Sequence, residues 1–182
     1  MNQNYIEKYY LKFQSLLFLQ KDIIKKILTT AIAIKKISRG NKVIIFGNGG
    51  SSAIASHFTV DLIKNTKINC LNFSDAALIT CFSNDYGYEN WIAKALDVYA
   101  KKGDLVILIS SSGVSKNILK AASASRKKGT ELITLTGFKK SNKLSKLGKV
   151  NFWVNSKNYN HIENIHQLYL LSVCDMIAGK KF

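Results

Sequence analysis

Short runs of almost entirely apolar residues alternate with longer segments in which apolar side chains recur every three or four positions. The apolar runs lie at residues 43–46, 104–109, 131–135 and 149–154, with a shorter one at about 68–73. Continuous apolar runs bounded by turn residues are typical of strands that are covered on both faces. Their alternation with helical segments predicts an α/β fold, a three-layer parallel sheet with helices on both faces.

Helical periodicity occupies most of the sequence between these runs. The segments are about 5–37 (two helices or one bent helix, ended by Gly40), about 51–64, 74–82, 88–102, a stretch ending near Gly129, a short lysine-rich helix after it, and about 161–179. Ser74 and Asp75 precede one segment and are of the residue types that cap helices. No linker or low-complexity tract interrupts the pattern, so we expect one domain over residues 1–182, with 1–40 as an N-terminal helical region.

Two glycine- and serine-rich loops each follow a predicted strand and precede a predicted helix. They are Gly47-Asn48-Gly49-Gly50-Ser51-Ser52 and Ser110-Ser111-Ser112-Gly113-Val114-Ser115. A helix start presents free backbone N–H groups and the positive end of the helix dipole, glycine allows close approach, and serine adds hydroxyl donors. The spacing matches neither the dinucleotide fingerprint nor the P-loop. The two loops therefore predict a site for a phosphorylated small molecule at the carboxyl edge of the sheet.

The composition narrows the class of partner. The formal net charge is +16, from 27 lysines and arginines against 11 acidic residues, and only Arg39 and Arg126 are arginines. Specific nucleic-acid recognition relies on the guanidinium fork of arginine, and this sequence has only two arginines. The positive charge therefore favours weak attraction of anionic substrates. The cysteines Cys70, Cys81 and Cys174 lack disulfide or metal spacing, which predicts free thiols. No apolar run reaches the ~18 residues of a membrane span, so we expect a cytoplasmic location.

Two predicted helices each carry a histidine and a carboxylate on one face. His57 and Asp61 are four residues apart, and Glu163 and His166 are three apart. A general base near neutral pH is an imidazole or a carboxylate, and such pairs also bind metals. A solvated hydrogen-bonded pair, or a histidine packed on the sheet, is the alternative interpretation of His57 and Asp61. Asp85 lies in a polar turn before a predicted helix and could either cap that helix or contact the ligand. From the sequence alone we expect it to cap the helix.

Five short motifs are specific when taken together. They are Gly47-Asn48-Gly49-Gly50-Ser51 with His57-Phe58, Ser83-Asn84-Asp85-Tyr86-Gly87, Ser110-Ser111-Ser112-Gly113 with Ser115, Leu135-Thr136-Gly137, and the closing His161-Ile162-Glu163-x-x-His166. At these residues the chain resembles the SIS (sugar isomerase) domain family and, within it, the phosphoheptose isomerases, over almost its whole length. The resemblance implies a flavodoxin-like or Rossmann-like topology. It also implies a homotetramer, assembled through the N-terminal helices, with active sites between subunits.

The same resemblance implies an aldose–ketose isomerase of carbohydrate metabolism. The substrate would be an open-chain sugar phosphate, with sedoheptulose 7-phosphate converted to a heptose 7-phosphate through an enediol, for lipopolysaccharide or capsule heptose biosynthesis. A base would move a proton between C1 and C2 while hydrogen-bond donors polarise the carbonyl. The substrate-binding residues that it implies are Asn48, Gly49, Gly50, Ser51, Asp85, Ser110, Ser111, Ser112 and Ser115.

The catalytic residues predicted on this basis are Asp61, Glu163 and His166, and two positions depart from the family pattern. Asp61 stands where the best-described members carry glutamate. Leu171 stands where they carry a histidine that acts as an acid–base group and as a zinc ligand. The position of Glu163 is often glutamine. No cofactor is implied with certainty; zinc is the candidate, with His57, Asp61 and Glu163 as its predicted ligands.

Leucine at position 171 can neither transfer a proton nor bind zinc, so either Glu163 or His166 takes over proton transfer, or the protein is a non-catalytic relative. Some members of the family use the same fold for partner binding without catalysis, such as the initiator-associating protein that binds the replication initiator, and they also lack that histidine. A non-catalytic module that binds a phosphosugar or a protein is therefore the alternative prediction.

Overall fold

A computed structural model describes residues 2–18, 20–37 and 39–181 of the chain. The seven helices within these ranges are α1 (Gln3–Leu16), α2 (Lys21–Lys35), α3 (Gly50–Thr66), α4 (Ala76–Tyr86), α5 (Trp91–Tyr99), α6 (Lys116–Lys127) and α7 (Tyr159–Ala178). The strands are β1 (Val43–Phe46), β2 (Cys70–Leu71), β3 (Leu105–Ser110), β4 (Glu131–Thr136) and β5 (Val150–Trp153). A single 3-10 turn at Leu144–Lys146 replaces the lysine-rich helix that the sequence predicted.

The five strands form one parallel sheet in the order β2-β1-β3-β4-β5. Val43 of β1 pairs with Cys70 on one side and with Leu105 on the other. All residues of β1 and β3 are buried, as expected for central strands covered on both faces. This order is that of flavodoxin-like folds, so the predicted fold class is confirmed.

The two faces of the sheet carry separate hydrophobic clusters. On one face α2, α3 and α7 pack on alternate strand residues, with Phe58 of α3 and Ile165 of α7 fully buried. On the other face α5 and α6 pack on the remaining strand residues, with Leu96 and Ile118 fully buried. Successive strand side chains point to opposite faces, which divides the apolar residues between the two clusters.

Helix α1 has no buried residue and contacts helix α7 through aromatic side chains. The rings of Tyr9 and Phe13 lie 4.2 and 5.6 Å from the ring of His161, which is buried at the start of α7. The N-terminal segment is therefore two helices, and α2 ends at Lys35, five residues before the predicted stop at Gly40. Within the described ranges, no helix combines the length and the apolar character needed to cross a membrane.

Helix caps explain one correct and one wrong prediction. Asp75 caps α4, because its Oδ1 accepts a hydrogen bond from the backbone N–H of Leu78 at 3.0 Å. Asp85, however, does not cap the next helix. Helix α4 runs on to Tyr86 and is ended by Gly87, whose φ is 81°, so that Asp85 lies in its last turn and α5 starts only after Asn90.

Candidate active site

The two loops singled out by the sequence meet at the point where the strand order reverses. Strands β1 and β3 are neighbours, and their following helices α3 and α6 leave to opposite faces of the sheet. Such a switch point opens a crevice at the carboxyl ends of the strands, which is where open α/β sheets bind ligands. The position of both loops thus follows from the topology.

A cavity of about 90 Å³ lies between the loops, and we call it the serine pocket. It brings together six of the predicted substrate-binding residues and one predicted catalytic residue. Its lining is Asn48, Ser51, Ile109, Ser110, Ser111, Ser112, Ser115, Tyr159 and Glu163. Tyr159 had no signal in the sequence, since it lies in the first turn of α7 and outside both loops.

Hydrogen bonds hold the second loop, residues 110–115, in a conformation that brings two of its hydroxyl groups close together. Ser110 Oγ lies 3.0 Å from Ser115 Oγ and accepts a hydrogen bond from the backbone N–H of Gly113 at 3.2 Å. Gly113 has a φ of 67°, and a Cβ there would overlap the side chain of Asn142. Ser111 is 5% exposed, and within the described residues its Oγ has no hydrogen-bond partner. The loop therefore offers a hydroxyl that a bound anion could engage.

Glu163 brings a carboxylate to the other side of the serine pocket. It lies in α7, and its carboxylate occupies the space in which a Cβ at Gly50 would stand. Gly50 is the first residue of α3, so the carboxylate lies at the positive end of that helix. Burial raises the pKa of Glu163 above the usual value of a glutamate. Glu163 is half-buried in the pocket, so its carboxylate takes up a proton at a higher pH than an exposed glutamate does.

His166, three residues further along α7, lies in the hydrophobic core instead. It is fully buried, and its Nε2 lies 3.1 Å from the carbonyl oxygen of Thr136, to which it donates in the neutral form. Burial lowers the pKa of His166 to about 4. It does not line the serine pocket, so the predicted catalytic role of His166 has no support in its position.

The pair His57 and Asp61 lies further along α3, away from the serine pocket. His57 Nε2 is 3.7 Å from Asp61 Oδ2, and both side chains are partly exposed. Asp61 follows Ser51 by ten residues, a rise of about 15 Å along a helix. Its charge instead reaches Cys174 near the end of α7, where burial raises the pKa of the thiol and Asp61 raises it further.

The metal ligands predicted from the resemblance do not form a site within one chain. In the described part of the protein, no three histidine, cysteine, aspartate or glutamate side chains are close enough to hold a metal ion. Glu163 lies at the start of α7, against Gly50. Position 171 carries a leucine. The His57 and Asp61 pair alone supplies two donors, and a zinc site requires three or four. The described residues of this chain therefore do not fit zinc.

Asp85, the remaining predicted substrate-binding residue, is exposed at the end of α4. Its carboxylate accepts hydrogen bonds from Asn84 Nδ2 at 3.0 Å and from Cys81 Sγ at 3.6 Å. It does not line the serine pocket. Gly49 and Gly50 form the turn from β1 into α3, where Gly49 has a φ of 54°, and neither lines the serine pocket.

Comparisons with known proteins agree with this geometry. The model of the SIS domain family matches residues 4–137. Phosphoheptose isomerase of Aliarcobacter butzleri is 34% identical over 155 residues, which cover 82% of each chain. That of Proteus mirabilis is 35% identical over 160 residues, covering 84% of this chain and 82% of its own.

Solved structures show the same fold. Phosphoheptose isomerase from Francisella tularensis aligns over 99% of this chain and 100% of its own with a TM-score of 0.88 and 27% identity. The enzyme from Neisseria gonorrhoeae aligns over 96% of this chain and 98% of its own, with a TM-score of 0.86 and 24% identity. The chain therefore belongs to the SIS domain family and, within it, to the phosphoheptose isomerases, which makes it an isomerase.

Proposed function

We propose that this protein interconverts sedoheptulose 7-phosphate and a heptose 7-phosphate through an enediol. The observation that carries the proposal is the serine pocket, where hydroxyl groups and two helix starts face the carboxylate of Glu163. The curated relatives at 33–37% identity bear the name phosphoheptose isomerase, which supports the choice of a heptose phosphate over other sugar phosphates.

The phosphate end of the substrate would bind in the serine pocket. Ser110, Ser111, Ser112 and Ser115 supply hydroxyl donors, and the first turn of α6 supplies free backbone N–H groups. In the first turn of α3, the N–H groups of Ser51 and Ser52 already donate to the carbonyl oxygens of Asn48 and Gly49, so this turn would add chiefly the N–H of Gly50. The net charge of +16 favours the approach of a dianionic substrate.

Glu163 is the residue that we propose for proton transfer. In the forward direction a base removes a proton from C1 of the ketose while the carbonyl oxygen at C2 takes up a proton, which gives the enediol. Return of the proton to C2, with loss of the proton from the oxygen on C1, completes the aldose. A carboxylate whose pKa is raised toward neutrality suits both the removal and the return.

Asp61 would complete the site from a neighbouring subunit of a homotetramer. Within one chain it is about 15 Å further along α3 than Ser51. The surface around it is apolar, with Val60 and Ile63 of α3 and Leu168 of α7 all exposed. Coverage of this surface by a second copy would bury it and bring another subunit's residues toward a serine pocket. The N-terminal helices, with Tyr5, Ile6, Tyr10 and Leu11 exposed on α1, would extend the same assembly.

Leu171 supports a second candidate function, a phosphosugar-binding module without turnover. This module would keep the serine pocket and lack one acid–base group of the enzymes. It predicts that sedoheptulose 7-phosphate stabilises the protein against heat without any conversion. We propose the enzyme as the first function because Glu163 already places a titratable carboxylate in the pocket.

The deciding experiment is an activity assay on sedoheptulose 7-phosphate in D₂O, with and without added zinc. We expect formation of heptose 7-phosphate and incorporation of solvent deuterium into the remaining ketose, because the enediol exchanges its proton with solvent. Binding of the ketose with neither product nor exchange would refute the isomerase and support the binding module. Activity would fit a cytoplasmic enzyme supplying heptose for lipopolysaccharide or capsule.

A further inference from the structure

Three side chains connect the two loops that flank the serine pocket, and we call them the amide clamp. Asn48 Nδ2 donates a hydrogen bond to Asn117 Oδ1 at 3.0 Å, and Asn117 Nδ2 donates to Asn48 Oδ1 at 2.9 Å. The hydroxyl of Tyr88 donates to the same oxygen of Asn48 at 3.2 Å. Asn48 belongs to the first loop, whereas Asn117 lies in the first turn of α6, directly after the second loop.

Asn117 is fixed within its own helix before it reaches across. Its side chain is 3% exposed, and its Oδ1 also accepts a hydrogen bond from the backbone N–H of Ile118 at 3.0 Å. The orientation of the amide is thus set by two partners on different segments. A side chain held in this way cannot rotate without breaking several hydrogen bonds in a buried place, which is costly.

The clamp leaves Asn48 with little hydrogen-bonding capacity for a ligand. Its Oδ1 accepts from both Asn117 and Tyr88, and one of its two Nδ2 hydrogens is used by Asn117. One donor remains. Asn117 and Tyr88 therefore fix the position of Asn48. Through Asn48 they also fix the backbone of Gly49 and Gly50, which follow it in the loop.

We propose that Asn117 is a positioning residue that holds the first loop, through Asn48, at the separation from the serine loop that a phosphate group requires. The proposal rests on the proposed function, since it assumes that an anion binds between the loops. A preformed site loses less conformational entropy on binding than one that must close. Breaking the clamp should therefore weaken phosphate binding even though Asn117 does not line the serine pocket.

A double-mutant cycle tests whether Asn117 affects phosphate binding through Asn48. The probes are inorganic phosphate and sedoheptulose 7-phosphate, with affinities measured by calorimetry for the wild type, Asn117→Ala, Asn48→Ala and the double variant. We expect each single variant to bind both anions about 10-fold more weakly, as for loss of one to two buried hydrogen bonds. If Asn117 acts through Asn48, the double variant binds no more weakly than Asn48→Ala alone.

Two further variants keep the test independent of a folding defect. Tyr88→Phe removes one hydroxyl at an exposed position and should weaken binding by a smaller factor, about 2- to 5-fold. Asn41→Ala is the matched control, because Asn41 Nδ2 donates hydrogen bonds to Lys102 O and Asp104 Oδ1 at the amino ends of β1 and β3, the sheet edge opposite the loops. It should lower the melting temperature as much as Asn117→Ala does and leave both affinities unchanged.

In the assay, loss of the clamp should raise KM about 10-fold and lower kcat by less than 3-fold, because Asn117 acts on binding and not on the proton transfer. Equal phosphate affinity of Asn117→Ala and the wild type would overturn the proposal, and so would full additivity in the double variant. A wild type that binds both anions with the expected cycle but forms no heptose phosphate would refute the isomerase function alone. A wild type that binds neither anion would overturn both.

Discussion

The carboxylate of Glu163 occupies the space in which a Cβ at Gly50 would stand, so any larger residue at this position would displace the acid that α7 presents to the serine pocket. The contact joins two helices on the same face of the sheet. It also places an anionic group at the positive end of a helix, which favours a negative charge there. The acid thus lies beside the phosphate-binding groups.

Gly50→Ala should lower activity without lowering stability. Alanine has a helix propensity about 1 kcal/mol better than glycine, so α3 itself gains from the change. The new methyl group, however, would displace the carboxylate of Glu163 from the pocket, and we expect kcat to fall at least about 10-fold. The measurements are steady-state kinetics and thermal melting. In a Glu163→Ala background the same substitution should have no further effect on kcat; a further fall would show that Gly50 acts by another route.

Glu163→Gln should abolish most turnover while preserving binding. The amide is nearly the same size but cannot accept and return a proton, so kcat should fall by about 100-fold or more. Because a negative charge is removed from the phosphate site, the affinity for inorganic phosphate should rise or stay equal. Glu131→Gln is the control, since Glu131 pairs with Lys149 at 2.9 Å at the far edge of the sheet. A Glu163→Gln variant with wild-type kcat would remove Glu163 from the mechanism.

Leu171→His should change the rate only modestly if Glu163 already carries the proton transfer. Leu171 is half-buried on α7, so an imidazole can be accommodated there. We expect a measurable wild-type rate and a change of less than about 10-fold in kcat, with or without zinc, because one well-placed acid–base group already supplies the usual gain. An inactive wild type whose Leu171→His variant gains turnover would favour the non-catalytic module as the natural function.

Ser111→Ala should move stability and ligand binding in opposite directions. The buried hydroxyl has no partner in the described protein, so its removal should raise the free energy of unfolding slightly, by up to about 1 kcal/mol. The affinity for inorganic phosphate should nevertheless fall about 10-fold, if this hydroxyl binds the anion. Ser125→Ala is the matched control, because Ser125 is buried but hydrogen-bonded to Thr130 at 2.6 Å, and its loss should cost stability alone. Unchanged phosphate affinity in Ser111→Ala would contradict a role in binding.

Stability should fall in mild acid because of the buried histidines. The pKa of His166 is about 4 in the folded protein and about 6.5 in an unfolded chain, so protons bind preferentially to the unfolded state. The stabilisation is fully present above about pH 6.5 and is lost progressively toward pH 4, by about 3 kcal/mol. Burial also lowers the pKa of His161, with the charge of Lys12 adding to the effect, which acts in the same direction.

Urea unfolding between pH 4 and pH 8 measures this dependence. His166→Gln is the informative variant, because glutamine can still donate to the Thr136 carbonyl but does not titrate in this range. Its free energy of unfolding should vary less with pH than that of the wild type. Identical pH profiles would mean that His166 is not the group responsible.

Much of the site was predictable because it depends on local sequence. The strand at residues 43–46 has the predicted bounds, and the loops after β1 and β3 contain the asparagine and the serines that line the pocket. Once both loops follow central parallel strands, the topology brings them together at one edge. The cap by Asp75 was predictable for the same reason, since it involves residues only three positions apart.

The parts of the site that the sequence did not predict depend on how each helix is rotated about its axis against the sheet. Glu163 and His166 share a helix face by spacing, yet one reaches the pocket and the other the core, because Ile162, Ile165 and Tyr169 set the rotation of α7. Asn117 gave no signal, since its partner Asn48 is 69 residues away. The separation of Asp61 from the first loop, by contrast, follows from the sequence, because Asp61 follows Ser51 by ten residues within one helix.

The switch point has a consequence for how the protein unfolds. Helix α3 belongs to the hydrophobic cluster on one face of the sheet and α6 to the cluster on the other. A phosphate held between the starts of these two helices is therefore a cross-link between the two hydrophobic clusters, in addition to the sheet itself and the amide clamp. Ligand binding should therefore slow hydrogen exchange in both helix layers together. The bound substrate would couple the unfolding of the two layers into one cooperative transition.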